Sequence, residues 1–293
     1  MRTSRTLFAV AASLTLTAAV ATTAPAVAAK GGKNRPTTTS YAPAATAKIH
    51  PGVQMYTEGA QCTANFVYTD GAGATYVGYA AHCAGLGEAT DTNGCEAASL
   101  PLGTRVSFVE GGSLVSDGTT VGHGTLAYSS WRTMKQRGET DENACAYNDL
   151  ALVKVDAADA AKVNPSVPFW GGPVAINTAG TAIGDTVHSY GNSSLRAGIE
   201  ALSPKQGTSV GTEGEGWSHA VYTVSPGVPG DSGSAFLDAD GNALGTLSTL
   251  AIAPLAGSNG VSDLNHELTY AQQNGAISGL RLVPGTEPFS PIL

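Results

Sequence analysis

Apolar residues along most of the chain recur at alternate positions in short runs, each bounded by Gly, Asp, Asn or Pro. This is the period-2 pattern of half-buried strands. The runs "QCTANFVYT", "ATYVGYAA", "LGTRVSFVE", "DLALVKVD", "AIGDTVHSYG", "HAVYTVS", "GSAFLDA" and "ALGTLSTLAIA" are alternating or β-branched and read as strands. Asp70-Gly71 joins the first two, and Asp240-Gly241-Asn242 precedes the last, both as hairpin turns. One late stretch keeps a helical period instead. "SDLNHELTYAQQNG" has Ser262 or Asp263 as N-cap, Leu264, Leu268 and Ala271 on one face, and Gly275 as its stop. The segment at 157–172, "AADAAKVNPSVPFWGG", reads as a connection between two β halves, and "WRTMKQRGETDENACAYN" as a polar loop. No internal repeat is present.

Composition sharpens this to an all-β chain. There are 293 residues with 37 Gly, and only 13% are charged, about half the usual share. Many short strands joined by tight turns fit that profile; a helical bundle or a disordered chain does not. The N-terminus has its own character: Arg2 and Arg5, the apolar run "LFAVAASLTLTAAV", and small residues at Ala26-Val27-Ala28. Residues 1–28 read as a secretory signal peptide, which places the protein outside the cell. No later stretch is long and apolar enough for a helical span, so no membrane association is expected once the signal is removed. Residues 29–48 are polar, with Thr and Pro, and read as a pro-segment or flexible arm with no fold of its own. The body is expected at 49–293, with a first β half at 49–160, a second at 170–275 including the helix, and a C-terminal tail.

Charge separates arm from body. From Ile49 onward, nine Lys and Arg face 23 Asp and Glu, a net charge of −14. Such a body repels phosphate backbones, so nucleic acid is not expected as a partner.

Export makes Cys62, Cys83, Cys95 and Cys145 candidates for disulfides. Their separations of 21, 12 and 50 residues contain no CxxC, which disfavours a zinc site. Folding the hairpin at Asp70-Gly71 back on itself brings Cys62 near Cys83 and leaves Cys95 for Cys145. The first bridge would then hold His82 at the end of its strand.

Three polar residues stand where chemistry is plausible. His82 ends an apolar strand in "VGYAAHCAG"; the plain alternative is a satisfied core imidazole. Asp149 heads "NDLALVKV", where a polar loop becomes a buried strand; the plain alternative is a strand-capping turn. Ser232 sits in "VPGDSGSAF", where flanking glycines permit a sharp turn that exposes the hydroxyl and aims backbone N–H groups at one point. Position 234 is Ser, not Gly, and the chain order is His, Asp, Ser, so the α/β-hydrolase elbow does not fit.

Together, "GYAAHC", "NDLALVKV" and "PGDSGSAF" resemble the motifs of chymotrypsin-like (trypsin-fold) serine endopeptidases, particularly their secreted bacterial members. The resemblance spans about 49–274 and implies two six-stranded antiparallel β-barrels of the chymotrypsin type, followed by the short C-terminal helix. It implies Ser232 as nucleophile, His82 as general base and acid, and Asp149 as the group that orients the imidazole. The N–H groups of Gly230 and Ser232 would form the oxyanion hole. Ser248 and Leu250 would line the substrate strand, with Pro226 and Gly260 at the specificity pocket.

Several consequences are expected from that resemblance. No metal or organic cofactor is called for. Partners would be polypeptide substrates and proteinaceous inhibitors of a monomer. No "IVGG"-like terminus follows a basic cleavage site, so activation by a new terminal amine is not expected. In relatives that cut after Lys or Arg, an acidic residue stands six positions before the serine; here that residue is Pro226. Glutamate-specific relatives carry a histidine before the residue matching Ser248; here it is Leu247, and no Lys or Arg lies between Gln206 and Leu280. The expected preference is a neutral apolar side chain, with Asp263 as the nearest stray carboxylate. The alternatives are a catalytically weak or inactive trypsin-fold binding protein, and an esterase on the same scaffold.

Overall fold

A computed structural model describes residues 40–87, 93–251 and 256–291. The signal peptide and the first part of the arm, residues 1–39, lie outside the described residues, as does Ile252–Ala253 at the end of the last expected strand.

The first half builds β1 (Gln54–Thr57), β2 (Ala60–Thr63), β3 (Val67–Thr69), β4 (Thr75–Ala80), β5 (Arg105–Glu110), β6 (Thr119–Ser129) and β7 (Leu150–Val155). The second builds β8 (Thr186–Tyr190), β9 (Pro204–Glu213), β10 (Ser218–Thr223), β11 (Ala235–Leu237), β12 (Ala243–Leu250) and β13 (Asn259–Asp263). Strands β8–β13 close into a six-stranded antiparallel barrel in the order β10-β13-β12-β11-β8-β9. The first half, joined by β14 (Arg281–Leu282), forms an eight-stranded sheet in the order β14-β3-β4-β7-β6-β5-β1-β2. Its extra member β14 returns from the C-terminal tail to pair with β3, Arg281 opposite Thr69. The all-β class and the two β halves with a late helix are thus present.

That helix, α3 (Leu264–Asn274), starts where Asp263 accepts the N–H of His266 and stops at Gly275. Leu264, Leu268 and Ala271 pack with Phe66, Tyr68, Leu150 and Leu152 of the first half and Ala235 and Leu237 of the second. Each large apolar side chain among them contributes about 1.5–3 kcal/mol by leaving water, so the helix stitches the two halves into one core.

Two expectations need correction. The polar loop at 131–148 is largely helical, with α1 (Ser130–Arg137) starting one residue before it and α2 (Glu142–Tyr147) within it. Each has a capping side chain, Ser129 and Asp141, and α1 ends at left-handed Gly138. Short length and polar composition hid them. The end of the arm also has a fold: Ala42 and Lys48 donate to the carbonyls of Val163 and Lys162, and Ala47 is buried. Residues 40–48 therefore dock on the body.

Candidate active site

His82 lies on a single 3₁₀ turn, Ala81–Ala84, that continues β4. Three features lock it. The Cys62–Cys83 disulfide ties the turn to β2. The Ala81 N–H donates to the Asp149 carbonyl at 2.7 Å. Trp131 of α1 packs its ring 6.4 Å from the imidazole. The second bridge, Cys95–Cys145, anchors α2 just before Asp149. Both pairings are those expected from the hairpin at Asp70-Gly71.

Asp149 is buried, and its carboxylate is fully engaged. Oδ1 accepts the His82 backbone N–H at 2.8 Å, and Oδ2 pairs with His82 Nδ1 at 2.7 Å. Ser248 Oγ donates to Oδ2 at 2.6 Å. Burial pulls the His82 pKa down, but the charge and hydrogen bond of Asp149 outweigh it and leave the imidazole pKa above its ordinary 6.5. With Nδ1 held by the carboxylate, Nε2 is the nitrogen left for a reacting proton. Ser248 occupies a register break in the β12–β13 pairing, between Leu247 and Thr249. That bulge frees it from the ladder and lets its hydroxyl reach Asp149, a contact its place in "TLSTL" does not announce.

Ser232 comes from the second half, on the turn before β11. Its carbonyl accepts the Thr63 N–H at 2.8 Å, and Gly233 donates to the Leu247 carbonyl at 2.7 Å. Gly233 has φ +88°, and a Cβ there would strike the Thr63 carbonyl and the Ala80 amide. Only glycine lets this turn seat against β2 and β4, two residues before His82. The Gly230 carbonyl accepts from Gln61 Nε2 at 2.9 Å and Thr63 Oγ1 at 2.8 Å. The N–H groups of Gly230 and Ser232 have no acceptor among the described residues. Ser232 Oγ and His82 Nε2 likewise make no hydrogen bond to each other or to another described residue. Ser234, in the place of the glycine that an α/β-hydrolase elbow requires, donates to the Asp231 carbonyl at 2.5 Å and braces the turn.

Asp231 is buried and faces Arg196 and Lys205 together. Its oxygens also accept the Ser193 and Val228 N–H groups. Burial raises its pKa, but Lys205 and Arg196 overcome this and hold the carboxyl below its ordinary value. Burial pushes Lys205 down to about 8, partly offset by Asp231.

The expected pocket residues fall on facing segments. Pro226 is exposed and gives its carbonyl to Arg196 at 2.9 Å. Gly260 lies opposite Thr249, whose Oγ1 fills the space a Cβ would take. Leu250 is 47% exposed at the end of β12. Asn259, which the sequence did not single out, is buried and fastens these segments. It accepts the Gly227 N–H at 2.7 Å and donates to the Thr249 carbonyl at 3.2 Å. Asp263 is not a stray carboxylate: it pairs with His219 at 2.9 Å and His266 at 2.8 Å. A cavity of about 940 Å³, lined by His50, Glu110, Phe169, Tyr190 and Arg196, includes none of His82, Asp149 and Ser232. Among the described residues, the one His/Cys cluster dense enough for a metal is Cys62, His82 and Cys83. Its sulfurs are joined in a disulfide and offer no thiolate.

No family model and no curated protein matches the chain. Solved structures do. Protease A of Thermobifida fusca is 20% identical with a TM-score of 0.46, covering 81% of this chain and 99% of its own. Nocardiopsis protease is 20% identical with a TM-score of 0.46, covering 80% and 98%. Cellulomonas bogoriensis chymotrypsin is 19% identical with a TM-score of 0.47, covering 80% and 98%.

Proposed function

We propose that the chain is a serine endopeptidase of the chymotrypsin-like type, exported through residues 1–28, that hydrolyses peptide bonds through an acyl-enzyme. The observation that carries this reading is the Asp149 carboxylate. It accepts both the backbone and the ring N–H of His82, while the turn bearing Ser232 is hydrogen-bonded to Thr63 of β2, the strand that the Cys62–Cys83 bridge ties to the His82 turn. Two disulfides suit an oxidising, extracellular compartment.

In this mechanism Ser232 Oγ attacks the substrate carbonyl as His82 Nε2 takes its proton. Asp149 fixes the imidazole tautomer and offsets the charge that forms on it. The carbonyl oxygen becomes an oxyanion, received by the unpartnered N–H groups of Gly230 and Ser232. One such donor is worth about 3 kcal/mol in the transition state. His82 then returns the proton to the leaving amine, and water repeats the sequence on the acyl-enzyme. Beyond Leu247, the carbonyls of Ser248 and Leu250 would pair with an extended substrate backbone. The side chain before the cleaved bond would lie between the 225–230 segment and the β12–β13 edge, near Pro226, Leu250 and Gly260. Arg196 borders this region, but its guanidinium is engaged by Asp231, Ser225 and the Pro226 carbonyl. A neutral apolar side chain is therefore preferred, each methylene counting for about 1–3 kcal/mol.

Cleavage of a diverse peptide library, run beside ester substrates of matched sequence, tests the reading. Peptide turnover with small or medium apolar residues before the cut supports it. Ester turnover alone would make the protein an esterase, and dominant cleavage after Arg or Lys would overturn the specificity.

A further inference from the structure

Behind the triad lies a carboxyl group that the mechanism above does not use. Glu267, on α3, is fully buried. Its Oε1 accepts the backbone N–H of Asp149 at 2.9 Å, and its Oε2 accepts from Thr246 Oγ1 at 3.0 Å. The same threonine oxygen accepts Asn65 Nδ2 at 3.2 Å, and Asn65 Oδ1 in turn accepts the Phe66 N–H and the Tyr68 hydroxyl. Asn65, Thr246 and Glu267 are all solvent-free. The chain of contacts runs from the first sheet to β12 of the second half, then to the C-terminal helix, and back to the backbone of Asp149.

Every feature of this arrangement is built in. Gly78 on β4 is needed to admit Asn65, since a Cβ there would strike the Asn65 amide and the Tyr68 ring. The charged groups facing Glu267 are Asp149 and Asp263, both acidic, with Tyr68 and Tyr128 as nearby phenols. No cation among the described residues pairs with it. Burial, and then the charge of Asp149, push the Glu267 carboxyl well above the ordinary carboxylate range. Its Oε1 supplies the acceptor that the Asp149 N–H uses, at the point where the loop becomes β7.

We propose that Glu267 is a positioning residue. Through its Oε1 it fixes the Asp149 backbone, and so the carboxylate that holds His82, and it couples the C-terminal helix to the triad. The proposal rests on the triad reading for its effect on rate, but its structural core, the His82–Asp149 contact, does not. Displacement of a catalytic group by about 1 Å costs about 10²-fold in rate, and a buried amide left without an acceptor will move to find one.

The test compares the wild type with Glu267→Gln, which keeps an oxygen acceptor and is neutral, and Glu267→Leu, which removes it. Two readouts are taken: the low-field NMR resonance of the His82 Nδ1 proton, and the rate of Ser232 labelling by a serine-directed phosphonate. Glu267→Gln is expected to keep the resonance and label within about threefold of wild type. Glu267→Leu is expected to shift or lose the resonance and label roughly 10- to 100-fold more slowly. If Glu267→Leu does not accumulate as folded protein, Thr246→Val asks the same question, with a two- to tenfold loss expected. A wild-type resonance and rate in the folded Leu or Val variant overturns the proposal, as does a Gln variant as impaired as the Leu variant. A wild type that shows the resonance but never labels at Ser232 refutes the catalytic reading instead; the resonance alone then decides the role of Glu267.

Discussion

The guanidinium of Arg196 is ion-paired with the buried carboxylate of Asp231, the residue immediately before the candidate nucleophile Ser232. Lys205 reaches the same oxygen from β9. In animal relatives of the family the chain resembles, the matching carboxylate is met by a new terminal amine after cleavage. Here two cations within the chain hold it, so the turn that carries Ser232 is expected to take shape without a processed terminus.

Truncated proteins beginning anywhere from Ala29 to Ser40 should therefore have equal specific activity in a peptide assay. A protein beginning at Ile49 should remain active but melt several degrees lower, because it loses the backbone bonds of Ala42 and Lys48 to Val163 and Lys162. Activity confined to a single precise terminus would show that the internal cations do not replace a terminal amine.

Lys205 gives a stability signature in alkaline solution. Its pKa is about 8 in the folded protein against an ordinary 10.5. Between these values the unfolded chain holds a proton that the native state has released, so stability rises with pH, by on the order of 1 kcal/mol per pH unit. Lys205→Met lacks this dependence while Arg196 still pairs with Asp231. Thermal melts from pH 7 to 10 should show the melting temperature of the wild type rising relative to that of Lys205→Met; a difference that stays flat or falls with pH would show that Lys205 is not desolvated.

His82 predicts an opposite pair of trends. Its folded pKa lies above the ordinary 6.5 because Asp149 outweighs burial. The ion pair therefore stabilises the fold below about pH 6.5 and fades as pH rises through the folded value. Catalysis needs the neutral imidazole, so kcat/KM should fall on acidification with an apparent pKa above 6.5. In Asp149→Asn burial acts alone: the acid limb should move below about 6.5 and kcat should drop about 10⁴-fold. An unchanged acid limb in that variant would detach Asp149 from His82.

How far the sequence revealed this arrangement depended on how local each signal was. The strands around His82, Asp149 and Ser232, the hairpin at Asp70-Gly71 and the Cys62–Cys83 bridge it closes depend on neighbours in sequence and were legible; Cys95–Cys145, 50 residues apart, followed only as the pair left over. α1 and α2 were not, because their polar faces outweigh Trp131 and Met134 and their caps are single residues. β14 joins a sheet whose other strands end at Val155, a pairing no local pattern encodes. Arg196 sits on a single short 3₁₀ turn, Ser194–Arg196, and nothing there pointed to Asp231. Glu267 did leave a trace. It stands on the same helical face as Leu264, Leu268 and Ala271, where a carboxylate is out of place unless something buried requires it.

The central claim is that Ser232 is a nucleophile activated by His82 and Asp149. Its most direct test is to treat the purified protein with a serine-directed phosphonate and map the adduct by peptide mass spectrometry, with Ser232→Ala as a folded control. One adduct is expected, on Ser232, with loss of peptide hydrolysis in step with labelling, and less than a few per cent of wild-type activity in Ser232→Ala. A folded wild type that takes no adduct at Ser232, or a Ser232→Ala variant that keeps cleaving peptides, would contradict it.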